Sequence, residues 1–328
     1  MSLLSVEGLK VTYGLRNPVY AVRGVSFEIF EEEFVGLVGE SGCGKSTLGF
    51  AIARLERPPA RIAGGRVVLD GRDWTAMSER ELRPHRWKDV SVVLQSGMNA
   101  LNPVMTIEAQ FRDVMVQHTD WSEPAIRQRA LEVLDMVHID RDILFRYPHE
   151  LSGGMKQRVV IAMAFLLHPK LIILDEPTTA LDMVVQREIM DNLMELRGRE
   201  KFSLLFISHD LGLVLEISDR VLIMYAGQIV EENRAENLLE YGLHPYTQAL
   251  MRSLPVPGSD AREFHGLRGS PPNLRQMPKG CAFAPRCDLV TAECHEVEPD
   301  LEDINGAKVR CHVVGKEVRV RGSEPSIG

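Results

Sequence analysis

The stretch GESGCGKST, Gly39 to Thr47, fits the pattern G-x-x-x-x-G-K-[ST] and decides the fold. It follows the apolar run FVGLVG and precedes a helical stretch, so the sequence predicts a strand, a loop and a helix in that order. Glycines in such a loop let backbone N–H groups point at phosphate oxygens, and the helix N-terminus adds favourable partial charge. A Gly-rich turn with no ligand is the alternative, and the flanking strand and helix weigh against it.

The loop also carries side chains suited to a nucleotide and its magnesium ion. Lys45 is placed to reach the β- and γ-phosphates, and the Ser46 hydroxyl is placed to bind Mg²⁺. Cys43 lies inside the loop without an expected role. The predicted nucleotide contacts in this loop are Gly39, Ser41, Gly42, Gly44, Lys45, Ser46 and Thr47.

Two carboxylates end a second apolar run, LIILDEP, at 171–177. Asp175 is expected to approach Mg²⁺, and Glu176 is expected to polarise the water that attacks the γ-phosphate. An isolated Asp-Glu pair is more often a solvated strand end. The phosphate loop upstream favours the catalytic interpretation.

A third motif, LSGGMKQR at 151–158, predicts a second anion site. Ser152 can cap the helix that follows, while Gly153 and Gly154 expose backbone N–H groups at its positive end. A plain helix cap would explain Ser152 but not the glycine pair.

In this order and at these separations, the motifs resemble those of the ATP-binding subunits of ABC transporters over residues 1 to about 240. The resemblance implies an α/β P-loop NTPase fold, an ABC ATPase domain with a helical subdomain at about 96–167. It further implies that Tyr13 stacks on adenine, that Gln95 contacts Mg²⁺ and the attacking water, that Asp182 belongs to the D-loop, and that His209 contacts the γ-phosphate. Ordinary packing remains the alternative for Tyr13, and a structural role for His209.

Partners are also implied by the resemblance. Ser152, Gly153 and Gly154 are expected to contact ATP held by a second ABC ATPase subunit, a different chain, in a head-to-tail dimer. The segment SGMNALNPVM after Gln95 is expected to face two transmembrane permease subunits, although Ser96 and Gly97 replace the common Asp-Pro. An extracytoplasmic solute-binding protein would complete the transporter.

The composition changes near Tyr241, because half of the 18 prolines lie from Pro245 onward. The stretches HPYTQALMRSLP and GSPPNLRQMPKGCAFAPRC resemble the C-terminal extension of dipeptide and oligopeptide importer ATPases. We therefore expect an ATP-binding domain at 1–240 and a small Cys/Pro-rich extension at 241–328.

Four of the five cysteines lie in this extension with the spacing C-x5-C-x6-C-x16-C: Cys281, Cys287, Cys294 and Cys311. Four thiolates suit a tetrahedral zinc site or an iron–sulfur cluster. The resemblance to the peptide-importer branch favours a [4Fe–4S] cluster, zinc is the alternative, and unligated thiols are the third possibility.

The net charge and the length of the apolar runs indicate which partners the chain binds and where it is located in the cell. The net charge of −8 argues against a general nucleic-acid binder. The N-terminus lacks signal-peptide features, and the longest apolar run, Val159 to Leu167, is far shorter than a membrane span of about 18 residues. These features predict a cytoplasmic protein, and the resemblance to ABC transporter subunits implies a peripheral position on the cytoplasmic face of the cell membrane.

The leading prediction is thus an ATPase that powers the import of di- or oligopeptides. Oligosaccharide or nickel import is the alternative, because those importers have similar subunits. A non-transport ABC ATPase is less favoured by the importer-like extension. A passive nucleotide-binding scaffold is less favoured because Glu176 and His209 are both present.

Overall fold

The computed structural model of the protein describes residues 2–95, 97–179, 181–240, 242–254 and 267–314. Ser96, Tyr241 and parts of the predicted extension, 255–266 and 315–328, lie outside the described residues. The strands are β1 Ser2–Tyr13, β2 Val19–Phe30, β3 Phe34–Val38, β4 Ala60–Leu69, β5 Arg72–Asp73, β6 Val90–Val93, β7 Leu171–Asp175, β8 Ser203–Ser208, β9 Arg220–Tyr225, β10 Gln228–Arg234, β11 Glu302–Ile304 and β12 Ala307–Val309. The α-helices are α1 Lys45–Ile52, α2 Glu79–Leu82, α3 Ile107–His118, α4 Glu123–Met136, α5 Gly153–Ala164, α6 Met183–Arg199, α7 Leu211–Ile217, α8 Ala235–Glu240, α9 Pro245–Arg252 and α10 Ala292–Glu296.

The chain forms two compact units that are discontinuous in sequence. The first comprises Met1–Ser5, Glu28–Phe34 and Val67–Ile207, and the second comprises Val6–Phe27, Val35–Arg66 and Ser208–Gly328. The second unit therefore contains both the phosphate loop and the C-terminal segment. No helix within the described ranges is long and apolar enough to cross a membrane.

A parallel sheet of β6, β7 and β8 forms the core of the first unit. Val90 pairs with Leu171 across β6 and β7, and Leu171 pairs with Ser203 across β7 and β8. Every residue of β7 and β8 is buried. Strands buried on both faces are continuously apolar, which explains the runs LIILD and SLLFIS.

The helices α3, α4 and α5 follow β6, as predicted for a helical subdomain. Phe111 of α3 and Val133 of α4 are fully buried. Arg129 of α4 donates to the carbonyl oxygens of Phe165 at 2.6 Å and Leu166 at 3.1 Å. These carbonyls follow the end of α5, where helical oxygens lack intrahelical donors, so the guanidinium satisfies them.

The second unit is built around β3, β9 and β10. Val35 of β3 pairs with Arg220 of β9 in parallel, and Tyr225 of β9 pairs with Gln228 of β10 antiparallel. All five residues of β3 are buried. In a separate sheet, β1 lies between β2 and β4. The strand β3 leads directly into the phosphate loop, as the sequence predicts.

The C-terminal segment adds β12 and β11 to the sheet of the second unit. β12 pairs antiparallel with β10, with Val309 opposite Glu231. Glu231 is fully buried, and its carboxylate accepts hydrogen bonds from the backbone N–H groups of Leu243 at 3.0 Å and His244 at 2.8 Å. A carboxylate of β10 thus fixes the chain just before α9.

Candidate active site

The phosphate loop leaves β3 and enters α1 through backbone geometry that requires glycine. Gly44 has a φ of 110°, and a Cβ there would lie 2.2 Å from the carbonyl oxygen of Ala21. A Cβ at Gly39 would lie 2.1 Å from the carbonyl oxygen of Met224. Gly44 is needed for its left-handed conformation, and Gly39 for the close approach of two backbone segments.

The ammonium group of Lys45 and the N-terminus of α1 place positive charge at the phosphate loop. Lys45 is buried, and its Nζ donates to the carbonyl oxygens of Gly39 at 2.6 Å and Glu40 at 3.2 Å. The first turn of α1 contains no acidic residue. The lysine charge and the partial charge of the helix N-terminus are therefore available to a phosphate group.

Tyr13 lies at the end of β1 and contacts the phosphate-loop segment. Its phenol shares a 3.1 Å hydrogen bond with Thr47 Oγ1, and 38% of the residue is exposed. Ser41 and Gly42 are exposed at the loop, and Ser46 is half-buried at the first turn of α1. An exposed aromatic ring tied to the loop is suited to stacking on a base.

In the first unit, Glu176 lies immediately after β7 with a φ of 47°. Its N–H donates to the carbonyl oxygen of Ile207 at 2.8 Å. Its Oε2 accepts from Gln95 Nε2 at 3.0 Å and from Thr179 Oγ1 at 2.9 Å. Left-handed backbone at a non-glycine residue is costly and recurs at functional sites.

The predicted carboxylate pair is thus divided between two environments. Asp175 is the last residue of β7 and is only 3% exposed, whereas Glu176 is half-buried and bonded to two side chains. Thr179 was missed by the sequence analysis. Its position three residues after Glu176 was the available signal, because a turn of this length returns the chain towards the carboxylate.

The glycine-rich motif starts α5, as predicted. Ser152 Oγ accepts from the N–H of Met155 at 3.3 Å and caps the helix. A Cβ on Gly154 would lie 2.7 Å from Val185 Cγ1 of α6, so the two helix starts approach closely. Gly153, the first residue of α5, is exposed.

Asp182 caps α6 in the same unit. Its Oδ1 accepts from the N–H groups of Val184 at 3.1 Å and Val185 at 3.0 Å. The cap fixes the first turn of α6. The expected D-loop residue therefore also has a local structural role.

His209 belongs to the second unit and is exposed immediately after β8. Next to it, Ser208 Oγ accepts from the N–H of Asp210 at 3.0 Å, and Asp210 caps α7 by accepting from the N–H of Leu213 at 3.2 Å. Hydrogen bonds on both sides of His209 fix the backbone that presents it.

The four extension cysteines all lie in the described part of the second unit. The N–H of Cys281 donates to the carbonyl oxygen of Cys294 at 2.8 Å, and Cys294 is buried. Burial, with smaller contributions from the thiols of Cys294 and Cys311, raises the pKa of Cys281 to about 11. Burial also raises the pKa of Cys287, with added contributions from Cys311 and Cys294. No disulfide joins any of the five cysteines.

A preassembled site for a metal ion is not part of this arrangement. Within the described ranges, no group of three or more His, Cys, Asp or Glu side chains is positioned to hold a metal ion. The prediction of a cysteine-bound metal or cluster is therefore unsupported by side-chain geometry. Cys311 instead packs beside an apolar cluster of Ile304, Ala307, Val309 and Val314.

Two further residues at the phosphate loop had no role in the sequence analysis. Tyr246 of α9 and Arg286 of the extension both bond to Glu40, the second residue of the loop. Their stretches, HPYTQALMRSLP and APRC, were visible only as a family pattern. Nothing in the sequence spacing indicates that they reach the loop.

A phosphate loop after one buried parallel strand, an Asp-Glu pair after another and a glycine-rich helix start define an ATP-binding cassette ATPase, which hydrolyses ATP with Mg²⁺. The family model described as ABC transporter matches residues 22–179. The model described as oligopeptide/dipeptide transporter, C-terminal region, matches residues 230–294.

Two curated relatives align along nearly the whole chain. It is 41% identical over 315 residues to the dipeptide transport ATP-binding protein DppD of Haemophilus influenzae, covering 95% of this chain and 96% of that protein. It is 41% identical over 322 residues to the oligopeptide transport ATP-binding protein AppD of Bacillus subtilis, covering 96% and 98%. The chain belongs to the family of ABC transporter ATP-binding proteins that includes these two.

A solved structure agrees with this assignment. The dimeric structure of an ATP-binding cassette in a post-hydrolysis state, bound to ADP and Pi, is 28% identical with a TM-score of 0.64. The match covers 71% of this chain and 98% of that one. The predicted fold class is thereby confirmed.

Proposed function

We propose that the chain powers the import of di- or oligopeptides through a membrane ABC transporter. The observation that carries the proposal is the match of residues 230–294 to the C-terminal region of oligopeptide and dipeptide transporters, because this region lies outside the ATPase motifs. In this assignment, 1–240 is the ATP-binding domain, its helical subdomain is at about 96–167, and 241–328 is the extension.

Hydrolysis begins with nucleotide binding at the phosphate loop. MgATP binds with its phosphates in the loop Gly39–Thr47 and its adenine against Tyr13. Lys45 Nζ, which contacts two loop carbonyls, turns to the β- and γ-phosphates. Ser46, Gln95 and Asp175 would hold Mg²⁺, which would neutralise negative charge on the phosphates.

Glu176 acts as general base on the attacking water. The hydrogen bonds from Gln95 and Thr179 support this role, because they orient the carboxylate. His209 contacts the γ-phosphate. Proton transfer from water to Glu176 accompanies attack on the γ-phosphorus, the bond from that phosphorus to the β-phosphate oxygen breaks, and ADP and inorganic phosphate leave.

A second ABC ATPase subunit completes each site. The start of α5 offers the Ser152 hydroxyl and the backbone of Gly153 and Gly154 to ATP held by that subunit, with Asp182 at the contact. We assign a different chain to this role, in a head-to-tail pair. Dilution tests it: ATP turnover per chain should fall at low concentration and recover when the partner is added. A chain that light scattering shows to be monomeric, yet turns over fully, contradicts it.

Coupling to transport requires two transmembrane permease subunits and, outside the membrane, a solute-binding protein. The segment after Gln95 supports a docking role, because it includes a 3-10 turn at Gly97–Ala100 and a Val104 that is 79% exposed. The ATPase then sits peripherally on the cytoplasmic face of the membrane.

The decisive experiment is reconstitution. The chain is coexpressed with the two permeases and the partner ATPase, and the complex is placed in vesicles with the binding protein. Di- or oligopeptides should stimulate ATP hydrolysis and accumulate inside. Stimulation by nickel or an oligosaccharide, without any response to peptides, would overturn the peptide assignment. Failure to copurify with permeases would overturn the transport role.

Under the same proposal, Cys281, Cys287, Cys294 and Cys311 hold one [4Fe–4S] cluster. The donor set supports it, because four thiols lie in one segment and those of Cys294 and Cys311 influence the pKa of both others. Such a cluster would link four positions of the extension between residues 281 and 311.

A further inference from the structure

Glu40 in the phosphate loop is bonded by the C-terminal extension in two ways. Its carboxylate accepts two parallel hydrogen bonds from Arg286, Nη1 to Oε2 at 2.6 Å and Nη2 to Oε1 at 2.9 Å. Its backbone N–H donates to the Tyr246 hydroxyl at 2.9 Å. The extension therefore holds both the side chain and the backbone of one loop residue.

All three guanidinium nitrogens of Arg286 donate hydrogen bonds. Its side chain is only 4% exposed. Nε donates to the carbonyl oxygen of Arg268 at 2.8 Å, and Nη1 also donates to the Tyr225 hydroxyl at 3.2 Å. A planar guanidinium with its donors engaged cannot be replaced by a lysine ammonium without loss of the two-point contact.

Tyr246 is equally well fixed. It is fully buried, with its ring centroid 4.7 Å from that of Tyr225 and 5.4 Å from that of Phe283. Its N–H donates to His244 Nδ1 at 3.0 Å, and Glu231 holds the N–H of His244. The hydroxyl that meets the loop is thus supported by the core of the second unit.

The competing explanation is that the Glu40 contacts only stabilise the packing of the extension, since other ion pairs also join the C-terminal segment to the preceding chain. Lys308 of β12 pairs with Glu232 of β10 at 3.2 Å, for example. The Glu40 contacts differ because Lys45 Nζ bonds the carbonyls of Gly39 and Glu40 as well. When Lys45 turns to the phosphates, those bonds are lost, whereas the bonds from Arg286 and Tyr246 do not involve Lys45.

We propose that Arg286 is a positioning residue for nucleotide binding, acting through Glu40 with Tyr246 as its second support. It keeps the first turn of the phosphate loop in place when Lys45 leaves it. The inference rests on the proposed ATP site and assigns the extension a role in it.

The test is equilibrium binding of a fluorescent ATP analogue, with Mg²⁺, to the full chain. Arg286→Met should raise Kd about tenfold, a change of about 1.4 kcal/mol. Arg286→Lys should give an intermediate Kd, because it restores the charge without the fork. Glu40→Gln should also raise Kd. The double variant, Arg286→Met with Glu40→Gln, should have a Kd no higher than that of whichever single variant binds the analogue less tightly. Lys308→Met, which removes an ion pair between β12 and β10 without touching Glu40, is the matched control and should retain wild-type Kd.

Kinetics of the assembled transporter separate positioning from stability. In Arg286→Met, KM for ATP should rise about tenfold while kcat at saturation stays within about twofold. A lower kcat with unchanged KM, or equal losses in Arg286→Met and Lys308→Met, would overturn the inference. If Arg286→Met does not fold, Glu40→Gln decides, since unchanged binding there also overturns it. A wild-type chain that fails to bind the analogue would refute the ATP site itself, whereas normal wild-type binding with an unaffected Arg286→Met refutes only this inference.

Discussion

Gln95 donates a 3.0 Å hydrogen bond from its side-chain amide to the carboxylate of Glu176. Gln95 follows β6 and Glu176 follows β7, and the two strands are parallel neighbours with Val93 opposite Leu174. The carboxyl ends of parallel strands meet at one sheet edge, so the register brings these residues together. Thr179 donates to the same carboxylate oxygen, which orients it from a second direction.

Glu176→Gln should retain ATP binding and lose hydrolysis. An amide keeps the shape of the side chain but cannot accept the proton of the attacking water, so turnover should fall by about 10² or more. The measurement is steady-state phosphate release by the assembled complex, beside the binding assay. Glu195→Gln on α6 is the control and should match wild type. Undiminished phosphate release would remove Glu176 from the mechanism.

Tyr13 should contribute to nucleotide affinity through its ring rather than its hydroxyl. Tyr13→Ala should weaken ATP binding by about 1–3 kcal/mol, the usual worth of stacking on a base. Tyr13→Phe loses only the bond to Thr47 and should remain close to wild type. Titration with the fluorescent ATP analogue measures both. If Phe and Ala are equally damaging, the hydroxyl rather than the ring carries the effect.

The extension cysteines should bind iron as one set. Protein purified without oxygen should be brown and contain about four irons per chain. Replacing any one of the four by Ser should lower the iron content and loosen the extension to proteolysis more than it weakens ATP binding. Cys43→Ser is the control and should keep its iron. One zinc per chain would favour a structural zinc site, and absence of metal would leave the thiols unligated.

His244 should make stability depend on pH. It is buried, and its Nδ1 accepts from the N–H of Tyr246, which requires the neutral ring. Burial lowers the pKa of His244 to about 3, against about 6.5 in the unfolded chain. The unfolded state therefore binds the extra proton first, so the free energy of unfolding falls on acidification, by about 2 kcal/mol from this group between pH 7 and pH 5.

Urea unfolding of wild type and His244→Gln at the two pH values isolates this contribution. The variant is expected to be less stable at pH 7 but to lose about 2 kcal/mol less than wild type on going to pH 5. The same loss in both proteins would show that other groups account for the acid sensitivity.

Local patterns in the sequence predicted much of the fold and part of the site. LIILD and SLLFIS are apolar throughout because their strands are buried on both faces, and the glycines of the phosphate loop are required by close backbone contacts. Each of these signals lies within a few residues of the feature that it predicts. The nearness of Gln95 to Glu176 depends instead on strand order, and only the family resemblance implied that both residues meet the attacking water.

The contacts of the extension could not be predicted in the same way. Arg286 lies 246 residues from Glu40, and Tyr246 lies 206 residues from it. The contacts of Arg286 and Tyr246 with Glu40 depend on where the C-terminal segment packs. No periodic pattern in the sequence predicts that position. The four cysteines show the converse limit, since their spacing suggested a ligand set while side-chain geometry in the described ranges gives no preassembled site.

The strands of the extension also have a consequence for solubility. β12 pairs with β10, and β11 pairs with β12, so β11 is the edge strand of this sheet. β11 has only three residues, of which Glu302 and Asp303 are exposed. A short, acidic edge is a poor template for another chain. A chain truncated at residue 240 would instead present the unpaired backbone of β10, seven residues long, to its neighbours. The extension thus protects against edge-to-edge aggregation, and shortened versions of the protein should precipitate even with every ATP-binding motif intact.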